Sequence, residues 1–301
     1  MKKITNNTKG IILAVSAAFA VSNVYIFSKA ALNEVHLAQF GVYWFGLGIL
    51  WNLIYIFSFG KHKGFSKIKR KSLFALLLIA VLEVGGTLFF FLSIKTVSNP
   101  AVVSFLANIN PLFVVSMGLL FLREKLNRLE VLGMFIIFVG AIIISVKGKA
   151  DIDSIVISGV QYVLLSGFIY SIATVIAKKQ IKYVDASFMA LSRILLLFVF
   201  SLIALVYFQL PLVISTPAFT NIIIGSVLGP FLTATLGYLS LKYIQVSKAS
   251  MVKSIRSLFV LIGAYIYFGN LPTFWQIIGG IFTILGVILI SLGKLKQKKS
   301  S

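Results

Sequence analysis

The chain has 301 residues, 59% of them hydrophobic and only 12% charged, with a mean hydropathy of +1.03. A soluble domain carries about 25% charge, so the composition points to a membrane protein. Net charge is +21, but the basic residues sit in short clusters between apolar runs, where they read as topology signals rather than a nucleic-acid surface. Cysteine is absent, which excludes disulfides, thiolate metal sites and a Cys nucleophile.

The first stretch, MKKITNNTKGIILAVSAAFA, has the outline of a secretory signal, with Ala18-Phe19-Ala20 as the cleavage pattern. An internal repeat pairs it with a later helix, so it is expected to be a retained first span. Ten stretches approach the roughly 20 apolar residues that a bilayer core requires. They are 10–28, 37–59, 72–94, 101–122, 129–146, 155–177, 186–208, 222–241, 249–268 and 274–292. Connections are short, so residues 1–301 are expected to form one membrane domain. Alternate connections and the two ends hold 21 of the 28 Lys and Arg, the opposite side holds four, and three lie inside spans. That bias places both termini in the cytoplasm of a multi-pass protein of the cell membrane.

Residues 110–145, NPLFVVSMGLLFLREKLNRLEVLGMFIIFVGAIIIS, align without a gap on residues 256–291, RSLFVLIGAYIYFGNLPTFWQIIGGIFTILGVILIS. Gly133 meets Gly279, Gly140 meets Gly286 and Ser145 meets Ser291. LSIK at Leu92 answers LSLK at Leu239 one residue out of step, and Gly10, Phe19 and Lys29 answer Gly159, Phe168 and Lys178. Spans 1–5 (residues 10–146) and 6–10 (residues 155–292) are therefore expected to be two copies of one unit. Five is odd, so the second copy enters the membrane from the other side. The expected fold is an all-α integral membrane protein of ten transmembrane helices in two inverted-topology repeats. Gly133/Gly140 and Gly279/Gly286 each lie seven apart on one helix face, which suits close helix packing.

With its ten spans, Asn110-Pro111 midway along span 4, Leu122-x-Glu124 at its exit and a Gly-bearing fifth helix, the chain resembles the EamA-type members of the drug/metabolite transporter superfamily over residues 10–292. The second copy departs from that pattern, with Ser257 in place of the mid-helix proline and Gly269-Asn270 in place of Arg-Glu. The resemblance implies a secondary transporter of small metabolites, with a cavity lined mainly by helices 1, 3, 4, 6, 8 and 9. It implies no particular substrate, since members carry amino acids, nucleotide sugars, phosphorylated sugars and organic cations.

Ionisable groups inside spans are costly unless paired or hydrated, so they are the sharpest signals. Glu83 stands roughly 16 Å along span 3, near the midplane. It reads either as a cavity group that takes a cation, a proton or a partner charge, or as half of a structural ion pair. Lys253 and Arg256 lie one turn apart, roughly 6 and 10 Å into span 9. Lys253 is short enough of the midplane to snorkel, whereas Arg256 is deeper and is the repeat partner of Asn110. Pro111 should bend its helix there and free backbone carbonyls. Glu83 is the expected counter-charge of Arg256, and Arg193 in span 7 is expected to snorkel at the periphery.

Asn23, Asn108, Asn110, Tyr170, Ser171, Thr233 and Thr235 supply further candidate donors and acceptors, although such residues also serve helix–helix hydrogen bonding. Gly85-Gly86 and Gly229-Pro230 should weaken helices 3 and 8 at equivalent depths. The expected function is alternating-access transport of an amino-acid-like zwitterion or organic anion, coupled to protons or to exchange. Export of organic cations is the alternative, and a membrane enzyme or a non-transporting receptor is the alternative of another class. His36 and His62 fall on opposite sides, and Asp151 and Asp153 lie in a Lys-flanked loop. No metal or cofactor site is therefore expected, nor an enzyme. The partners expected are the small-molecule substrate and the lipid bilayer.

Overall fold

The computed structural model describes residues 6–61, 68, 70–122, 127–145, 157–244, 249 and 252–300. Glu124, His62, Asp151, Asp153 and Lys248 lie outside the described residues. Within them the chain is helical, with no strand. Helices α1 (Asn6–Leu32), α2 (Leu37–Ser58) and α3 (Arg70–Thr96) form the first three rods. The fourth rod is broken: α4 (Pro100–Leu106), a 3₁₀ turn (Ala107–Ile109) and α5 (Asn110–Leu122). Then come α6 (Arg128–Ser145), α7 (Val160–Gln180) and α8 (Ala186–Tyr207). The eighth rod is α9 (Thr216–Ser226), a π-helical stretch (Val227–Thr233) and α10 (Ala234–Tyr243), and the last two contain α11 (Arg256–Phe268) and α12 (Phe274–Ser300).

Rod ends sit where the local chemistry allows. His36 caps α2 reciprocally with Gln39, Asn99 caps α4 ahead of Pro100, and Gly269 ends α11 at a φ of 68°. The eighth rod starts at Thr216, earlier than its apolar run, because Ser215 caps it and Pro217 occupies the first turn, where a missing N–H costs nothing. Asp185 caps α8 and pairs with Lys61 at 3.4 Å, tying α8 to the end of α2.

Equivalent helices of the two halves meet each other. A Cβ on Gly133 would lie 2.6 Å from the Gly286 carbonyl oxygen, and one on Gly286 would lie 2.6 Å from that of Gly133. Gly140 and Gly279 are related in the same way at 2.7 Å. Two equivalent helices, α6 and α12, thus cross antiparallel about a local two-fold axis, as an inverted repeat requires. The paired lysines repeat the pattern on opposite sides of the molecule. Lys29 Nζ donates to the Lys95 and Val97 carbonyls (3.1 and 2.9 Å), and Lys178 Nζ to those of Leu241 and Ile244 (2.5 and 2.8 Å). Each lysine satisfies the carbonyls that the end of a neighbouring helix leaves open.

Helix breaks are not where the glycine pairs suggest in both halves. Helix α3 runs unbroken through Gly85-Gly86, and Gly86 instead leaves room for Tyr170, whose ring atoms would lie 2.9–3.0 Å from an added Cβ. The eighth rod does break, because Pro230 has no N–H for Ser226 and the helix widens into a π-turn around it.

Burial pushes the Asp185 carboxyl up, but hydrogen bonds from the Ser187 side chain and backbone and the nearby Lys61 ammonium outweigh it, so its pKa lies below the usual value. A lowered carboxylate pKa stabilises the fold above about pH 4 and loses that contribution as pH falls through the folded value. Asp185→Ala should therefore cost about 1 kcal/mol at neutral pH. Its stability gap from the wild type, measured by thermal unfolding in detergent, should narrow below about pH 4.

Candidate functional site

A cavity of about 240 Å³ lies between the two halves. Its lining includes the linked aromatic rings of Tyr25, Trp44, Phe45, Phe90 and Phe91 and the charged groups Glu83, Arg193, Lys253 and Arg256. The second rod contributes Trp44 and the seventh contributes Arg193, neither of which the sequence places there.

Glu83 is paired, and its partner corrects the sequence reading. Arg193 Nε lies 3.0 Å from Glu83 Oε2, and the two side chains are only 17% and 10% exposed. Arg193 is therefore central rather than peripheral, and Arg256 is not the counter-charge of Glu83. Tyr238 donates to Glu83 Oε1 at 3.1 Å, Arg193 reaches Thr87 at 3.5 Å, and Thr87 shares a 2.8 Å hydrogen bond with Tyr170. This cluster joins α3, α7, α8 and α10 and is charge-neutral at its ionic centre.

Lys253 and Arg256 line the same cavity, and among the described residues neither forms an ion pair. They straddle a break. Residues 252–254 are helical, residue 255 is a turn, and the Ile255 and Leu258 N–H groups bond back three residues, to Val252 and Ile255. The 3₁₀ turn Ala107–Ile109 occupies the repeat-equivalent place, 146 residues earlier, in the fourth rod. Pro111 has no N–H to donate to the Ala107 carbonyl, which accepts instead from the Asn110 backbone N–H and from Arg256 Nη2, the latter at 3.1 Å. The two breaks thus meet across the local two-fold axis. Lys253 Nζ lies against α10 where Gly237 has no side chain; a Cβ there would stand 3.3 Å from it.

The uncharged candidates divide. Asn110 faces the cavity beside Gly167, and its Oδ1 is buried without a hydrogen-bond partner. Asn108 lines the cavity too, but its amide donates to Ser257 (3.1 Å) and Thr283 (3.3 Å), bracing the fourth rod against α11 and α12. Tyr170 and Thr233 line the cavity, with the Thr233 hydroxyl donating to Leu228 O across the π-turn at 2.7 Å. Asn23 stands outside it and donates to Phe19 O one turn back. Ser171 likewise bonds within its own helix, to Phe168 O. Arg193 had a usable signal in the sequence. The offset of 149 that pairs Lys29 with Lys178 also pairs Trp44 with Arg193, and both residues face inward.

Removing one partner of a buried ion pair strands the other charge, whereas removing both does not. Arg193→Gln or Glu83→Gln alone should therefore cost roughly 3–5 kcal/mol of stability. The double variant should recover most of that loss, as measured by thermal unfolding of the purified protein in detergent.

The comparisons with known proteins agree with this architecture. The model of the EamA-like transporter family matches residues 8–146 and again residues 157–292. An uncharacterized transporter, sll1164, from Synechocystis is 29% identical over 77% of this chain and 69% of its own length. Another, YyaM from Bacillus subtilis, is 26% identical over 83% of each chain. A third, from Archaeoglobus fulgidus, is 25% identical over 94% of this chain and 97% of its own. One solved crystal structure shares the fold with a TM-score of 0.67 over 97% of this chain and 99% of its own, at 16% identity. With both halves matched, the chain belongs to the EamA-like transporter family and is a membrane transporter.

Proposed function

We propose that the chain is a secondary transporter that carries a small organic anion by alternating access, the half 10–146 rocking against the half 155–292. One observation supports the anion above all: Glu83, the acid of the cavity lining, is held by Arg193, while among the described residues Lys253 and Arg256 face the same space without a carboxylate partner. Two cations in a low-dielectric enclosure favour a carboxylate or phosphate strongly. An amino-acid-like zwitterion fits less well, because its ammonium would have to compete with Arg193 for Glu83. Organic cations fit least.

Size narrows the class further. A dry cavity of about 150 Å³ takes a benzene, so this one suits on the order of ten non-hydrogen atoms. The aromatic rings give the anion's carbon skeleton an apolar surface. Arg256 and Lys253 orient the charged end, and Asn110 Oδ1, left without a partner, accepts from a donor on the substrate. Proton symport or exchange drives the cycle, and both termini lie in the cytoplasm. That orientation follows from the 21-to-4 bias of basic residues.

Counterflow in proteoliposomes tests the reading, with small carboxylates, phosphate monoesters, zwitterionic amino acids and organic cations assayed at two pH values. The anions should exchange, and Lys253→Gln and Arg256→Gln should each lower their uptake about ten-fold or more, as loss of a charge-assisted hydrogen bond does. Arg256→Lys, which keeps the charge, should retain part of it. Transport restricted to organic cations and indifferent to both substitutions would defeat the anion assignment. Failure of every substrate class would defeat alternating-access transport of these metabolites.

A further inference from the structure

A second cleft, of about 690 Å³, lies where the first turn of α3 meets the end of α7. It is lined by Lys71, Lys178, Lys179 and Lys182, with Ser72 and Tyr183 beside them. Lys71, Lys179 and Lys182 are exposed, and among the described residues no carboxylate pairs with them. Lys178 is committed to the α10 carbonyls. The Tyr183 ring is 71% exposed, an aromatic side chain at the helix end where interfacial rings meet lipid headgroups.

The inverted repeat supplies an internal control. By the offset of 149, Lys178, Lys179, Lys182 and Tyr183 correspond to Lys29, Ala30, Asn33 and Glu34 on the opposite side. Lys71 corresponds to the Pro217-Ala218 stretch at the start of α9. At that equivalent place Ser215 donates to Glu34. Only the capping lysine, Lys29 or Lys178, is common to both copies, so the fold requires that one alone. The other three lysines are additions to one side.

We infer that this cleft is a headgroup site for an anionic phospholipid of the inner leaflet. The phosphodiester sits among Lys71, Lys179 and Lys182, and the Tyr183 ring lies at the glycerol level. The leaflet follows from the proposed orientation, and the site itself does not depend on the transport reading. Because Lys178 both edges the cleft and caps α10, an occupied cleft bears on the contact between α7 and the eighth rod.

The test uses the full chain purified into mixed micelles, with binding of phosphatidylglycerol and phosphatidylcholine followed by native mass spectrometry. The wild type should retain phosphatidylglycerol preferentially. Lys179→Gln with Lys182→Gln should weaken that retention roughly thirty-fold, at the strength that surface lysines contribute toward acidic lipid. Lys179→Arg with Lys182→Arg should preserve it, which separates charge loss from misfolding. Lys9→Gln with Lys242→Gln, an equal charge change on the same face, should leave it intact. Equal retention of the two lipids by the wild type would overturn the site. So would an equal loss in the Lys9/Lys242 control, which would mean general attraction to a basic face. Displacement of the lipid by millimolar inorganic phosphate, with phosphate then bound at the same lysines, would assign the cleft to a free anion instead.

Discussion

The cavity takes its character from one interaction, the ion pair between Glu83 and Arg193. A carboxylate near the middle of a bilayer needs a partner, and which cation supplies it decides what charge is left for a ligand. Arg193 comes from α8, reaches 3.0 Å from Glu83, and draws Tyr238, Thr87 and Tyr170 into the same hydrogen-bonded cluster. Four helices from both halves are joined there. Had Arg256 taken that part, the cavity would hold a neutral pair and a single lysine near its mouth. As built, it holds two cations that no acid among the described residues pairs with.

Backbone irregularity supplies the rest of the polar surface. The fourth rod breaks at Ala107–Ile109 and the ninth at the equivalent residues, with Lys253 and Arg256 on either side of the second break. The causes differ, since Pro111 stands in one copy and Ser257 in the other, yet the depth is the same. Arg256 adds a second donor to the Ala107 carbonyl, beside the Asn110 N–H, so a break in one half is braced by a side chain from the other. The eighth rod adds a π-turn around Pro230, packed where Gly48 and Gly229 allow α2 and its Trp44 to approach. Irregular backbone at membrane depth is tolerated where it lines such a cavity. Regular rods such as α6 and α12 meet instead through glycine, backbone to backbone.

Much of this was legible in the chain. Apolar run length and basic loops mark the rods, because the bilayer imposes both. The glycine spacing and the single offset expose the two-fold relation between α6 and α12. Glu83, Lys253, Arg256, Asn110, Asn108, Tyr170 and Thr233 all reach the cavity lining. What spacing along one helix does not encode is rotation about its axis relative to neighbours. For that reason the sequence suggests a peripheral Arg193, an inward-facing Asn23 and an Arg256–Glu83 pair, whereas the packed helices turn Arg193 toward Glu83 and Asn23 away from the cavity. The Gly85-Gly86 pair failed as a break signal for a related reason: a glycine serves a bend or a close neighbour equally well, and here the neighbour is Tyr170.

The central claim is that Glu83 is already neutralised, so the empty part of the cavity is a site for negative charge. Equilibrium binding to the purified wild-type protein of three ligands sharing one carbon skeleton, a carboxylate, its amide and the corresponding amine, tests it directly. The account predicts that the carboxylate binds at least ten-fold more tightly than the amide, as a charge-assisted contact to Lys253 and Arg256 would make it, and that the amine binds most weakly. An amine that binds as well as or better than the carboxylate would mean that Glu83 is open to the ligand, and would contradict it.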